Sequence, residues 1–195
     1  MTRVVPLLAL LLFVLLPPPL AAHLSIPAEF REVVHDATLI VRGRITDVRP
    51  VLDSDRGVES IGTVAVDTMI KGTGMDFVSV RVPGGKIGRY SYVMTGAPKL
   101  RAGEHAVFFL KQDAVGAWRP VGLTQGIYRV QAEPASGRPV VQPPVVPGKT
   151  AAATGRTVRG DLRRRLMPIG EFESLVRVVM ATPPAARAIR RGGGR

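Results

Sequence analysis

The side chains best suited to contact a partner lie in a glycine-rich segment near the middle of the chain. Arg89, Tyr90 and Tyr92 follow one another closely between two glycines there. Loops that present basic and aromatic side chains from a rigid scaffold are common binding surfaces. We therefore expect these three residues to bind a partner. The alternative is that the two tyrosines, which share one face of a strand, form an edge of a β-barrel.

Three further arginines occupy outward positions of predicted strands. Arg42 and Arg44 alternate with apolar residues in the first strand, and Arg81 does so in the third. A basic strip on the outside of a small β-barrel can bind a polyanion such as an oligosaccharide or a nucleic acid. Polyanion binding through these arginines is therefore the alternative function.

The sequence contains no local pattern that predicts catalysis or a metal site. The three histidines, His23, His35 and His105, lie too far apart to form a metal-binding motif, and the chain has no cysteine. No serine lies in a nucleophile-elbow motif, and no pair of carboxylates has a distinctive spacing. We therefore expect no enzymatic activity and no cofactor. An enzyme whose catalytic groups meet only in the folded chain stays open as a further alternative.

The first 22 residues have the order of a secretory signal peptide. Arg3 precedes an apolar run over residues 4–16, which three prolines and Leu20-Ala21-Ala22 follow. Such a run is too short to span a bilayer as a helix, and an uncleaved anchor is the alternative. We expect export to the periplasm or the extracellular space, with cleavage after Ala22 and no transmembrane span afterwards. His23 would then be the first residue, whose free amine and imidazole could together chelate a metal.

The positive charge of the chain is concentrated near its C-terminus. The net charge is +12, and residues 156–195 contribute +7 of it, with ten arginines against three acidic residues. Export argues against a genomic nucleic-acid partner, which leaves an anionic envelope surface or an acidic protein as candidates. A solvated tail that keeps the protein soluble is the alternative.

Alternating apolar residues predict six short β-strands with turn signals between them. In the first strand, Leu39, Val41 and Ile45 share one face, and Gly43 marks a bend or a close backbone approach. This number and spacing of strands is typical of a closed all-β barrel. The predicted strands are residues 38–48, 62–70, 77–82, 105–111, 118–121 and 126–130.

Helical spacing of apolar residues predicts an amphipathic helix on either side of the strands. The first covers residues 26–37 and the second residues 168–182, whose apolar stripe is expected to dock on an open side of the barrel. Prolines in residues 132–167 predict an extended linker with a basic segment, and residues 183–195 are expected to be a disordered basic tail. The domain prediction is therefore a signal peptide (1–22), a barrel with its first helix (23–131), the linker, the second helix and the tail.

The order of these segments resembles the N-terminal domain of the tissue inhibitors of metalloproteinases. The resemblance covers about residues 36–110 and rests on Asp-Ala-Thr-Leu-Ile-Val-Arg-Gly-Arg-Ile-Thr-Asp-Val at residues 36–48, Lys71-Gly72 and Gly103-Glu104. The chain is also similar to a group of uncharacterised exported bacterial proteins with Val-Pro-Gly-Gly, Gly-Ala-Pro and Gly-Glu segments, here residues 82–85, 96–98 and 103–104.

The resemblance implies an OB-like closed barrel of five to six strands and a non-enzymatic module that binds a protein partner in the cell envelope or outside the cell. A metalloprotease that such a module inhibits is the partner that the family suggests. The inhibitor family chelates the protease zinc through an N-terminal cysteine, whereas this chain has no cysteine. Only His23 occupies a comparable position at the end of the mature chain.

Overall fold

A computed structural model of the protein describes residues 28–53, 57–144 and 166–183. The predicted signal peptide, His23 and residues 184–195 of the predicted tail lie outside these ranges. The described residues form, in chain order, α1 (Phe30–Asp36), β1 (Leu39–Asp53), β2 (Gly57–Lys71), β3 (Phe77–Pro83), β4 (Gly85–Ile87), β5 (Tyr90–Tyr92), β6 (His105–Gln112), β7 (Trp118–Pro120), a 3₁₀ helix (Leu123–Gly126), β8 (Ile127–Ala132), β9 (Pro139–Gln142), β10 (Met167–Pro168) and α2 (Ile169–Ala181). The prediction of a mainly β protein is confirmed, and two helices are present.

Most strands join one sheet in which β6 is central. One edge of β6 pairs with β1, and its other edge pairs first with β8 and then with β7. β1 also pairs with β2, β2 pairs with β3, and β3 pairs in parallel with β7 through Val80 and Trp118. The pairings β1–β2–β3–β7–β6 therefore return to β1, while β8, β9 and β10 extend the sheet beyond β6.

Gly43 is the point at which β1 departs from regular pairing. The register between β1 and β2 shifts between Arg42 and Gly43. A Cβ atom at this position would overlap the carbonyl oxygen of Ala65 in β2. The prediction of a close backbone approach at Gly43 is therefore confirmed, and a side chain there could be accommodated only if the two strands moved apart.

Strand β6 separates two apolar cores because its side chains alternate between the two faces of the sheet. Ala106, Phe108 and Leu110 pack with residues of β1, β2 and β3, whereas Val107 and Phe109 face the helices. All five side chains are fully buried. A strand with a core on either side reads as a continuous apolar run, which explains the sequence of this segment.

The two helices pack on the core that contains Val107 and Phe109, where four aromatic rings form a cluster. Phe30 from α1 and Phe172 from α2 pack with Phe109 of β6 and Tyr128 of β8. Every pair of these rings has a centroid separation between 5.0 and 6.3 Å, and most pairs are tilted or edge-to-face. This is the preferred range for aromatic pairs, so the cluster fastens both helices to the sheet.

The first helix begins later than its apolar spacing predicts. Residues 28 and 29 are not helical, and α1 starts at Phe30. The carboxylate of Glu32 accepts a hydrogen bond of 2.9 Å from the backbone N–H of Glu29. This back-contact belongs to a capping box in which Glu29 is the N-cap residue, so the helix begins at Phe30.

The β1–β2 hairpin is longer than predicted, and four short strands, β4, β5, β9 and β10, were not predicted. The hairpin of β1 and β2 continues past residue 48 to Asp53 and resumes at Gly57, and β4 and β5 form a separate hairpin. The strands β9 and β10 lie within or next to the segment predicted as a linker. These regions mix buried and exposed residues without the regular alternation of apolar side chains from which strands are predicted. In the described ranges, neither helix has the length and apolar character that crossing a membrane requires.

Candidate partner-binding site

The residues Arg89, Tyr90 and Tyr92 lie together on the β4–β5 hairpin. β4 and β5 pair through Gly85 with Tyr92, Lys86 with Ser91 and Ile87 with Tyr90, and a two-residue loop joins them. Gly88 in that loop has a φ of +55°, a conformation that glycine adopts at little cost. Within the described residues, the hairpin is a two-stranded sheet of its own.

Contacts with β2 fix the base of this hairpin. The N–H of Gly84 donates to the carbonyl of Val58 at 2.9 Å, and the Ser60 hydroxyl donates to the carbonyl of Gly84 at 2.7 Å. A Cβ atom at Gly85 would lie 2.9 Å from the Ser60 hydroxyl oxygen. Glycine at this point therefore lets the hairpin leave β2 at close range, so its aromatic residues are presented from an anchored base.

The hairpin and the residues after it expose a cluster of apolar side chains. The exposed fractions are 63% for Tyr90, 37% for Tyr92, 78% for Val93 and 38% for Met94, and we call these four residues the exposed patch. The Arg89 guanidinium lies over the Tyr90 ring, 5.4 Å from its centroid, which is within the range of a cation–π contact. Neighbouring apolar side chains that remain exposed mark interaction surfaces more often than single ones do.

A groove of about 380 Å³ separates the hairpin from the following segment, residues 93–101. Its charged lining residues are Lys86 on one wall and Lys99 and Arg101 on the other, and no Asp or Glu lines it. Tyr92, Pro98 and Leu100 supply apolar lining. We call this feature the basic groove.

Hydrogen bonds from outside the segment hold the second wall of the basic groove in place. The carbonyl of Gly96 accepts bonds from the hydroxyl of Thr124 at 2.6 Å and from its N–H at 3.2 Å. The Arg129 guanidinium donates to the carbonyl of Lys99 at 3.1 Å. These contacts position a segment without secondary structure against the sheet, so the groove does not depend on a free loop.

A second groove, of about 570 Å³, lies on the other side of Tyr92 and contains a buried carboxylate. Glu59 is 1% exposed, and the Arg119 guanidinium contacts it at 2.8 Å. The same guanidinium donates to the Asp113 carboxylate at 2.6 Å, while Arg81 lies 3.9 Å from Glu59. Arg81 is therefore part of a mixed acidic and basic cluster.

The three arginines proposed as a basic strip each contact other groups of the protein. The guanidinium of Arg42 forms an ion pair of 2.7 Å with Glu173 in α2 and donates to the Thr68 hydroxyl at 2.6 Å. Arg44 donates to the carbonyl of Gly103 at 3.0 Å. With Arg81 near Glu59, all three arginines thus contact protein groups.

The strand register also separates Arg81 from Arg42. Arg81 lies opposite Ile61 in β2, and Ile61 lies opposite Arg49 in β1. Arg49 is seven residues beyond Arg42, which is roughly 23 Å along a strand. The register therefore places Arg81 well away from Arg42 along the β1–β2–β3 pairing.

The described histidines form no metal site. His105 in β6 pairs with the carboxylate of Asp67 at 2.7 Å, and His35 lies in α1. Within the described parts of the chain, no group of three or more His, Cys, Asp or Glu residues is arranged to hold a metal ion. His23, which the signal-peptide prediction makes the first residue of the mature chain and a candidate metal chelator, lies outside the described residues.

Two features of the basic groove were missed by the sequence reasoning, although one carried a signal. Residues 77–103 contain five lysines and arginines and no acidic residue, which marks a basic segment that is separate from the C-terminal one. The exposure of Val93 and Met94 had no such signal, because apolar residues after a strand are as compatible with a core as with a surface.

A comparison with protein-family models finds no matching family, and a comparison with curated proteins finds no similar sequence.

Proposed function

We propose that this chain is an exported, non-enzymatic OB-like module that binds a protein partner through the β4–β5 hairpin. The residues that make the contact are Arg89, Tyr90 and Tyr92, together with Val93 and Met94. The observation that carries the proposal is the exposed patch itself, whose four side chains lie on and directly after a hairpin that is anchored to β2.

The strand pairings support an OB-like closed barrel as the scaffold. The ring β1–β2–β3–β7–β6 contains five strands and returns to β1, which is the strand number of an OB-fold barrel. Val64, Val80 and Phe108 come from three of these strands and belong to one core cluster, as side chains inside a barrel would. In this proposal, β8, β9 and the helices are additions to the outside of the ring.

The chemistry of the exposed patch favours a protein as the partner. Tyrosines are enriched among the residues that carry most of the binding energy in protein interfaces, because a large ring can be desolvated while its hydroxyl remains bonded. Valine and methionine side chains add apolar area that has no role in binding a polyanion. The ion pair of Arg42 with Glu173 counts against the polyanion alternative, because it occupies one of the arginines on which that alternative depends.

The resemblance to inhibitors of metalloproteinases makes an extracytoplasmic metalloprotease one candidate partner. In that case a metal-chelating N-terminus would have to be supplied by His23 after removal of residues 1–22. N-terminal sequencing of the exported protein tests this step, because the candidate requires a chain that begins at His23. A chain that retains residues 1–22 would contradict both cleavage and this candidate.

Site-specific photo-crosslinking in the cells that express the chain tests the proposed contact. A photoreactive phenylalanine analogue replaces Tyr90 in one strain and Phe77 in another. Phe77 is the matched control, because it is an aromatic residue of β3 with the same exposed fraction of 63%. We expect a discrete protein adduct at position 90 and none at position 77. Absence of an adduct at position 90, or the same adduct at both positions, would contradict the proposal.

A further inference from the structure

We infer that the basic groove receives an extended, acidic peptide segment of the protein partner. This inference rests on the proposed function and adds the chemistry of the partner to it. The groove adjoins the exposed patch through Tyr92, Val93 and Met94, which line it. A partner that covers the exposed patch is therefore in reach of the groove as well.

The charge of the lining residues selects the sign of the ligand. Lys86 stands on the hairpin, and Lys99 and Arg101 stand on the opposite wall, with no carboxylate among the lining residues. All three cationic side chains are exposed. A segment that carries aspartate or glutamate would meet a cation on either wall, whereas a basic segment would be repelled from both.

The apolar lining favours a peptide over a polymer that is charged at every repeat. Tyr92, Pro98 and Leu100 line the same groove as the three cations. They offer contacts to apolar side chains that a nucleic acid or a sulfated polysaccharide does not have. A peptide with acidic residues at some positions and apolar residues at others matches both parts of the lining.

The free edge of the hairpin favours an extended conformation of that peptide. In the described part of the chain, β5 pairs with β4 alone, and Ser91 and Tyr92 of β5 line the basic groove. An unpaired strand edge is a template for a further strand, and many domains bind peptides in this way. β5 has three residues, so it can pair with a segment of about three or four residues.

None of the segments outside the described ranges has the negative charge that the ligand needs. Residues 1–27 contain one arginine and no acidic residue, and residues 54–56 contain one aspartate and one arginine. Residues 145–165 contain six lysines and arginines against one aspartate, and residues 184–195 contain four arginines and no acidic residue. Both segments would be repelled by Lys86, Lys99 and Arg101. The acidic segment is therefore assigned to another protein.

Selection of a random peptide library on the immobilised full chain tests the inference. The selection is run in parallel on the native chain and on Lys86→Glu/Lys99→Glu, which reverses one charge on each wall. The control is Arg49→Glu/Arg138→Glu, which changes the net charge equally at exposed positions that do not line the groove. Unfolding curves of each variant establish that it is folded, and Lys86→Gln/Lys99→Gln replaces the reversal should that variant be unfolded.

We expect the native chain and the control to enrich peptides that combine acidic and apolar residues. At an ionic strength of about 0.15 M, a selected peptide should bind the reversed variant about tenfold or more weakly than the native chain. Its affinity for the control should lie within about twofold of the native value, because long-range interactions between exposed charges are largely screened. Single-stranded DNA and a sulfated polysaccharide are tested as competitors and should not displace it at matched charge concentration.

Several results would overturn the inference. They are enrichment of basic or neutral peptides, equal affinity for the native and reversed chains, no enrichment at all, and displacement by DNA or the polysaccharide at matched charge. The photo-crosslinking readout separates this failure from failure of the proposed function. An adduct at position 90 that persists in the reversed variant overturns the acidic ligand alone, whereas absence of any adduct at position 90 overturns the proposed protein contact.

Discussion

Arg42 in β1 and Glu173 in α2 form an ion pair of 2.7 Å, although 131 residues separate them in the chain. The side chain of Arg42 is 23% exposed and that of Glu173 is 11% exposed, so both charges are largely removed from water. Arg42 also donates to Thr68 in β2. One side chain therefore connects two strands with the last helix of the described chain.

Loss of one partner from this pair should lower the free energy of unfolding. We expect Glu173→Gln to cost about 1–3 kcal/mol, because it leaves the Arg42 guanidinium largely buried without its counter-charge. Urea unfolding monitored by circular dichroism measures the change. The matched control is Arg177→Ala, whose guanidinium is 54% exposed and lies 3.9 Å from Glu173. That control should change stability by less than about 0.5 kcal/mol, and an equal effect of both variants would contradict the assigned role.

Gly43→Ala should destabilise the protein strongly, because its Cβ atom would overlap the backbone of Ala65. We expect a loss of about 1–3 kcal/mol, the range in which overpacking of a well-packed region typically falls. Gly74→Ala is the control, since a Cβ atom there would have no neighbour within 4 Å. Thermal unfolding of both variants distinguishes the two sites. Similar melting temperatures for the two variants would mean that β1 and β2 can separate freely at Gly43.

Phe172→Ala should release α2 from the sheet. Its ring lies 5.0 Å from Tyr128 and 5.6 Å from Phe30, measured between ring centroids. Removal of a buried phenylalanine side chain costs about 3–5 kcal/mol through lost burial and the cavity that remains. Val178→Ala, on the exposed face of the same helix, should change stability by at most about 0.5 kcal/mol. Equal urea midpoints for the two variants would contradict the docking of α2 through Phe172.

Thr124→Val should loosen the second wall of the basic groove. The change removes the hydroxyl that donates to the carbonyl of Gly96 at 2.6 Å and keeps the shape of the side chain. We expect a cost of about 1 kcal/mol and faster amide hydrogen exchange in residues 93–101. Exchange in β6 serves as the internal reference and should stay slow. Unchanged exchange in residues 93–101 would show that other contacts are sufficient to hold this wall.

Tyr90→Ala/Tyr92→Ala should weaken partner binding while leaving the fold stable. Both side chains are exposed, so their removal takes little from the packed interior. An aromatic residue at the centre of an interface contributes about 2 kcal/mol or more, which predicts at least a tenfold lower affinity. Quantitative capture of the photo-crosslinked partner by variant and native chain measures this ratio. Phe77→Ala is the control and should retain native capture.

Strand identity could be predicted from the sequence where one face of a strand is buried. The alternation of Leu39, Val41 and Ile45 located β1, and the apolar run of β6 located a strand with a core on each side. The outer half of the β1–β2 hairpin and the strand β9 had no such alternation, so their bounds were missed. The start of α1 was also missed. The helical spacing of apolar residues begins at residue 26, upstream of the capping box that Glu29 and Glu32 form at the actual start of the helix.

The candidate site was predicted in part. Arg89, Tyr90 and Tyr92 were selected from residue type and local glycines, and they do lie on one exposed hairpin. Arg42 was selected in the same way, yet the structure places it against Glu173. An outward position on a strand does not tell whether solvent or another element covers it.

Residue type and order are sufficient to predict local properties of this protein: which segments alternate, that Gly43 requires glycine, and which segments are basic. The folded chain is needed to know which distant residues come together, such as Arg42 and Glu173 in an ion pair, or Lys86 and Lys99 in the lining of one groove. Alternation and turn preference act over a few residues, whereas these arrangements depend on strand register and on how loops close between strands. A residue's type sets the chemistry that it can perform, and its neighbours in the fold decide which part of that chemistry is available.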